Sequence, residues 1–180
     1  MRRANAAIGS SVFFIAAPTV VAGLLPWWLT RWEVRQPPLS IPFGMIGVAA
    51  IVVGAGVLIL AFVRFVVEGS GTPAPVAPTE QLVIGGLYRY VRNPMYLAVL
   101  SIIVGQALLL GHASLFTYAG VVAFAFVSFT RLYEEPTLRR QFGEEYETYR
   151  RAVPGWWPRL RPFKPDGEHV ARTTSRNSPW

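Results

Sequence analysis

Two short stretches hold residue types that could do chemistry together. The first is Gly85-Gly86-Leu87-Tyr88-Arg89-Tyr90-Val91-Arg92-Asn93-Pro94-Met95-Tyr96, polar, basic and aromatic, set directly against a long apolar run. Asn93 is a favourable N-cap, and Pro94 suits the first helical position, where its missing N–H costs nothing. A helix starting at Pro94 would present unpaired N–H groups and the positive end of its dipole, with Arg89 and Arg92 beside it, which suits an anion. Gly85 and Gly86 permit close backbone approach, and Tyr88, Tyr90 and Tyr96 offer flat faces. A basic, aromatic membrane-interface anchor would have the same composition. The second stretch is the acidic pair Glu134-Glu135, with Arg131 one helical turn before it. Beyond it, Leu138, Phe142, Tyr146 and Tyr149 fall on one face at helical spacing, a pattern that serves packing as readily as a ligand wall.

The elements that must position these residues are apolar runs of membrane length. The chain of 180 residues is 52% hydrophobic and only 15% charged, whereas soluble domains carry about a quarter charged residues. The runs predict an all-α integral membrane bundle of four transmembrane helices, at about 6–29, 41–67, 94–110 and 115–132, followed by an amphipathic helix over 137–152. Pro18 would kink the first span, and Pro136 would end or bend the fourth at Glu135. Trp27, Trp28 and Trp32 mark an interface. Gly44, Gly47, Gly54 and Gly56 give the second span a close-packing face, and Arg64 near its end can snorkel. Gln106, deep in the third span, is expected to hydrogen-bond another helix. The stretch 68–81, rich in Gly and Pro, reads as a surface connector or a lid. Residues 1–163 form a single membrane domain in this reading, and 164–180 a disordered tail. Even span number and arginine asymmetry place both termini and the first motif in the cytoplasm, in an inner membrane.

Composition narrows the chemistry. The chain has no cysteine, hence no disulfide, thiol nucleophile or thiolate metal site, and its two histidines, His112 and His169, are isolated, so no metal is expected. The net charge of +7 fits anionic lipid headgroups; no nucleic-acid motif is visible.

The two stretches resemble a family. Gly86-Leu87-Tyr88 and Arg92-Asn93-Pro94-Met95-Tyr96, then Glu134-Glu135-Pro136-Thr137-Leu138, Phe142-Gly143-Glu144-Glu145-Tyr146-Glu147-Thr148-Tyr149 and Val153-Pro154, are similar to the paired motifs of membrane methyltransferases of the isoprenylcysteine carboxyl methyltransferase and phospholipid methyltransferase type. The resemblance covers roughly 82–154 and departs from the pattern at Asn93, where the family usually has His, and at Ala98, where it often has Gly. Asn93 can hydrogen-bond but cannot titrate near neutral pH.

The resemblance implies S-adenosylmethionine as cofactor and a lipophilic, membrane-borne methyl acceptor. On that reading Gly86, Tyr88, Arg92, Asn93, Pro94, Tyr96, Glu134, Glu135, Tyr146 and Tyr149 bind the cofactor. The helix start with Arg92 suits its carboxylate, a Glu of the pair its ribose diol or amino group, and the tyrosines its adenine. Arg131 is the candidate for orienting the acceptor; a snorkelling arginine would occupy the same position. Neighbouring helical residues point about 100° apart, so Glu134 and Glu135 should not both face one ligand unless the turn is distorted. An NADPH-dependent membrane reductase and a non-catalytic membrane scaffold are the competing readings.

Overall fold

A computed structural model describes residues 16–35, 41–69 and 82–164. Every regular element among them is helical. Helix α1 spans Ala16–Thr30, α2 Ile41–Gly69, α3 Pro94–Leu110, α4 Ala113–Phe129 and α5 Glu135–Ala152, with a short 3₁₀ turn at Gly86–Arg89. Two helices are long and apolar enough to cross a membrane: Ile41–Phe65, and Ala113–Ala152, formed by α4 and α5 and kinked at Gly143; Ala16–Thr30 and Pro94–Leu110 are apolar but shorter. At 1.5 Å per residue the stretch from Ala113 to Gly143 is roughly 45 Å long, more than the roughly 30 Å hydrocarbon core of a bilayer. Its apolar part ends at Leu132, and α5 carries charge along its length. The sequence range 6–15 of the expected first span, the connector from 70 to 81 and the tail from 165 lie outside the described residues.

The helices α2 and α3 cross closely because small residues meet. A Cβ on Gly47 would lie 2.7 Å from the Gly105 carbonyl oxygen, and one on Gly54 2.9 Å from the Ala98 carbonyl oxygen. The core follows: Ile103 and Val99 of α3 pack with Ala22 of α1 and with Ala119 and Val122 of α4. Much of α2 is exposed apolar surface, including Met45, Val52, Val53 and Ile59, as expected of a face turned to lipid. Trp28 and Trp32 are exposed too, and the Arg31 guanidinium lies 4.7 Å from the Trp27 ring centroid. At the far end from the motifs, Gly111 ends α3 in the left-handed conformation, Arg35 N–H donates to the Leu110 carbonyl (3.0 Å), and the His112 ring is bonded to the Glu33 carbonyl (2.7 Å). His112 is thus a structural clamp.

Two helices contain a single π-helical turn, each two residues before a proline: Val20–Leu24 before Pro26, and Thr130–Glu134 before Pro136. The wider turn takes the proline without ending the helix. The turn before Pro18, where its kink is expected, lies outside the described residues, and the π turn of α1 follows at 20–24. Of the end or bend expected at Pro136, the helix does not end there but runs on through the π turn as α5. The real break comes later, at Gly143, whose φ of 53° and ψ of −122° only glycine adopts readily.

Candidate active site

The two motifs meet at one end of the bundle. A cavity of about 580 Å³ is lined by Tyr88, Arg92, Asn93, Pro94 and Tyr96 from the first motif and by Glu134, Glu135, Tyr146 and Tyr149 from the second. Apolar side chains complete the lining: Pro18 and Val21 of α1, Leu58 and Phe65 of α2, and Phe126 and Phe129 of α4, with Phe65 and Phe126 against Tyr88 and Tyr96. The chamber's polar end is the cluster around Arg92 and Glu135, and apolar side chains reach up to it.

Arg92 ties the polar end together. Its Nη1 donates to Glu135 Oε1 (3.0 Å) and to the Tyr146 hydroxyl (2.8 Å), and its Nε donates to the Val153 carbonyl (3.0 Å). The Arg92 and Asn93 backbone N–H groups donate to the Pro154 and Gly155 carbonyls (2.9 and 3.3 Å). Arg159 and Phe163 donate back to the Tyr90 and Arg89 carbonyls, so residues 153–163 run as a strap across the first motif. Arg89 Nε reaches the Phe163 carbonyl, which turns Arg89 towards the strap. The pair formed by Arg92 and Glu135 is mostly shielded, and Arg150 approaches the other Glu135 oxygen at 3.8 Å.

Glu134 sits differently. The Tyr96 hydroxyl donates to its Oε2 (3.2 Å). Tyr96 is itself held between aromatic rings, Phe126 at 4.5 Å and Trp156 at 6.2 Å, both near parallel. Glu134 lies past the apolar run, and burial pushes its carboxyl above the usual range, against the opposing effect of its bonds and of Arg92. Both glutamates line the cavity, Glu134 as the last residue of the π turn and Glu135 as the first of α5.

The tyrosines of α5 are packed. Tyr146, Tyr149 and Val153 form a buried cluster with Leu82, Ile84, Leu138, Phe142 and Phe163. Burial raises both phenols above their ordinary value, with the Arg92 cation working in the other direction. The Tyr149 hydroxyl donates to the Tyr88 carbonyl (2.7 Å), which fixes α5 to the 3₁₀ turn.

Asn93 is not a side-chain cap. Its backbone has φ −116° and ψ 55° and no side-chain capping bond forms, while its own N–H donates to the Gly155 carbonyl. The side chain is buried on the cavity wall, and its Nδ2 has no hydrogen-bond partner. An unpaired buried amide costs about 1–3 kcal/mol, so this atom is suited to an acceptor that enters the cavity.

Two of the residues assigned to the cofactor or the acceptor do not line the cavity. Gly86 has φ 55°, and a Cβ there would lie 2.9 Å from the Arg64 side chain; its place is structural. Arg131 lies in the π turn with its side chain exposed. The contacts of the strap were the main omission: Trp156 and the carbonyls of Val153, Pro154 and Gly155 position Tyr96, Arg92 and Asn93, and the sequence signalled the segment only by Val153-Pro154 after the second motif and by Trp156 and Trp157 between prolines, a composition that reads as interfacial. Among the described residues no cluster of three metal-ligating side chains occurs.

The phospholipid methyltransferase family model matches residues 43–145, over half of the chain and both glutamates of the cavity. The chain belongs to the phospholipid methyltransferase family. It is also 36% identical over 77 residues to the protein-S-isoprenylcysteine O-methyltransferase of Schizosaccharomyces pombe, an alignment covering 43% of this chain and 33% of that relative. The chain thus spans about a third of the curated relative it matches. No solved structure matches it.

Proposed function

We propose that this family member transfers a methyl group from S-adenosylmethionine to a lipophilic acceptor within the bilayer. The observation that carries the reading is the mixed lining of the cavity. Two carboxylates, a buried unpaired amide and a stacked tyrosine line it together with aliphatic and phenyl side chains from three helices. The polar end fits the cofactor's chemistry. Glu134 and Glu135 are set against the single lining cation Arg92, which suits cationic sulfonium and amino groups. Asn93 Nδ2 and the start of α3 suit a carboxylate. Arg92, with Nε and Nη1 already engaged, acts chiefly as a positioning residue that holds Glu135 and Tyr146 in place.

The bound cofactor supplies an activated methyl group, so the protein's task is to align donor and acceptor and to exclude water. The packed α5 cluster and the strap close the polar end, while the apolar wall orders the acceptor's hydrocarbon. Arg131, exposed beside the Glu pair, is placed to meet an acceptor headgroup at the membrane surface. We place four spans in the membrane, the shorter α1 and α3 inserted beside α2 and α4, with both termini and the cavity's polar end cytoplasmic in an inner membrane. Calorimetric titration of the detergent-purified protein with S-adenosylhomocysteine tests the reading, with NADPH as the control. Binding of the former alone is expected; binding of NADPH alone, or of neither, overturns it.

A further inference from the structure

The strap that positions Arg92 also carries side chains that the cavity does not use. Trp157 and Leu160 point away from the protein, 81% and 98% exposed. Both are large apolar side chains, on a segment that otherwise packs inward through Val153, Trp156 and Phe163. The height of this segment is set by its contacts. Its carbonyls bond residues immediately before Pro94, and Trp156 stacks on Tyr96 in the first turn of α3. The strap therefore lies level with the start of an apolar helix, where headgroups meet hydrocarbon. The charge is one-sided as well. From Tyr149 to Lys164 there are five cations, Arg150, Arg151, Arg159, Arg161 and Lys164, and no carboxylate. Arg150 and Arg159 are engaged within the protein, whereas Arg151, Arg161 and Lys164 are exposed.

Exposed tryptophan and leucine among arginines at headgroup depth is the composition of an interfacial anchor. We propose that residues 151–164 dock on an anionic bilayer surface, with Trp157 and Leu160 entering the boundary between headgroups and acyl chains and Arg151, Arg161 and Lys164 meeting lipid phosphates. The anchor holds the strap that in turn holds the first motif. Each cation near an anionic leaflet shifts the docked-to-undocked ratio about fivefold, and salt screens the effect.

The inference rests on the membrane placement proposed above, but its test involves neither cofactor nor acceptor. Because the chain has no cysteine, Leu160→Cys gives a unique site for an environment-sensitive fluorophore, and Glu144→Cys, at an exposed position of α5, is the reference. Each labelled full-length protein is placed in nanodiscs of phosphatidylcholine alone or with phosphatidylglycerol, with and without a headgroup-nitroxide lipid. The expected result is blue-shifted, nitroxide-quenched emission from position 160 in anionic discs, reduced by salt and by Arg151→Gln with Arg161→Gln, and water-like emission from position 144. Water-like emission from position 160 in anionic discs overturns the proposal. So does quenching that is equal in neutral and anionic discs, or a blue shift without lipid quenching, the signature of a second copy covering the patch. A protein that does not enter discs at all fails at reconstitution, and the membrane reading falls with it.

Discussion

The π turn of α1 and the π turn between α4 and α5 share a backbone device and differ in what it delivers. In both, the residue after the turn donates its N–H five positions back, Leu25 to Val20 and Glu135 to Thr130, and a proline follows. In both, that proline leaves carbonyls one turn earlier without their usual donor. In α1 those carbonyls belong to Val21 and Ala22, and side chains replace the missing N–H: the Tyr118 hydroxyl donates to Val21 (2.8 Å) and Gln106 Nε2 to Ala22 (2.7 Å). The defect becomes a three-helix junction. In the second turn the corresponding residues, Arg131 and Leu132, are exposed, where water or headgroups can serve their carbonyls. That turn runs into Glu134 and Glu135, which both line the cavity. A proline-relieved turn is thus neutral in itself; the side chains around it make it a joint or a site.

The largest expected effect is on the second turn. Glu135→Ala removes the carboxylate that pairs with Arg92, and S-adenosylhomocysteine affinity should fall roughly tenfold to a hundredfold by calorimetry. Glu144→Ala, at an exposed position, should leave affinity unchanged. Equal losses would mean that the pair has no special place.

Next in size is the comparison of the two prolines. Pro136→Ala permits a regular helix and should turn one of the two glutamates away, weakening the same ligand about tenfold, a charge-assisted contact's worth. Pro26→Ala should leave affinity within about twofold, since the first turn's carbonyls already have donors. The same response from both variants would break the distinction.

The pH dependence should follow Glu134. Its carboxyl titrates above the usual range, so the folded protein binds more protons than the unfolded chain, and the ligand-free protein loses stability as pH rises through that value. Affinity for a cationic ligand should move the opposite way, falling severalfold on acidification at a pH where ordinary carboxylates remain ionised. Glu134→Gln should remove this dependence, measured by titration across pH.

The smallest effects belong to the first turn. Gln106→Leu and Tyr118→Phe each leave a backbone carbonyl without its donor and should cost about 1 kcal/mol, read as a lower melting temperature, with ligand affinity preserved. A loss of affinity without loss of stability would mean that the first turn, too, serves the cavity.

Much of this architecture was legible in the sequence because it depends on local composition. Apolar runs identified the helices, Asn93-Pro94 marked the start of α3, and the glycines of α2 its close-packing face. The polar Gln106 implied an interhelical bond, which the structure supplies. Both motifs could be read as partners, since residue types and order were enough to pair them. Side-chain direction was not legible. Periodicity gives about 100° per residue and does not show which residues a cavity gathers, so the joint placement of Glu134 and Glu135 was decided only in the fold. Capping preference pointed to the Asn93 side chain, but no capping bond forms and its amide lies buried on the cavity wall. Arg92 read as a free cation beside a helix start; the fold committed it to Glu135, Tyr146 and Val153. Sequence fixes what is local, namely hydrophobicity, turns and charge. Which donor meets which acceptor depends on segments that become neighbours only once the helices pack.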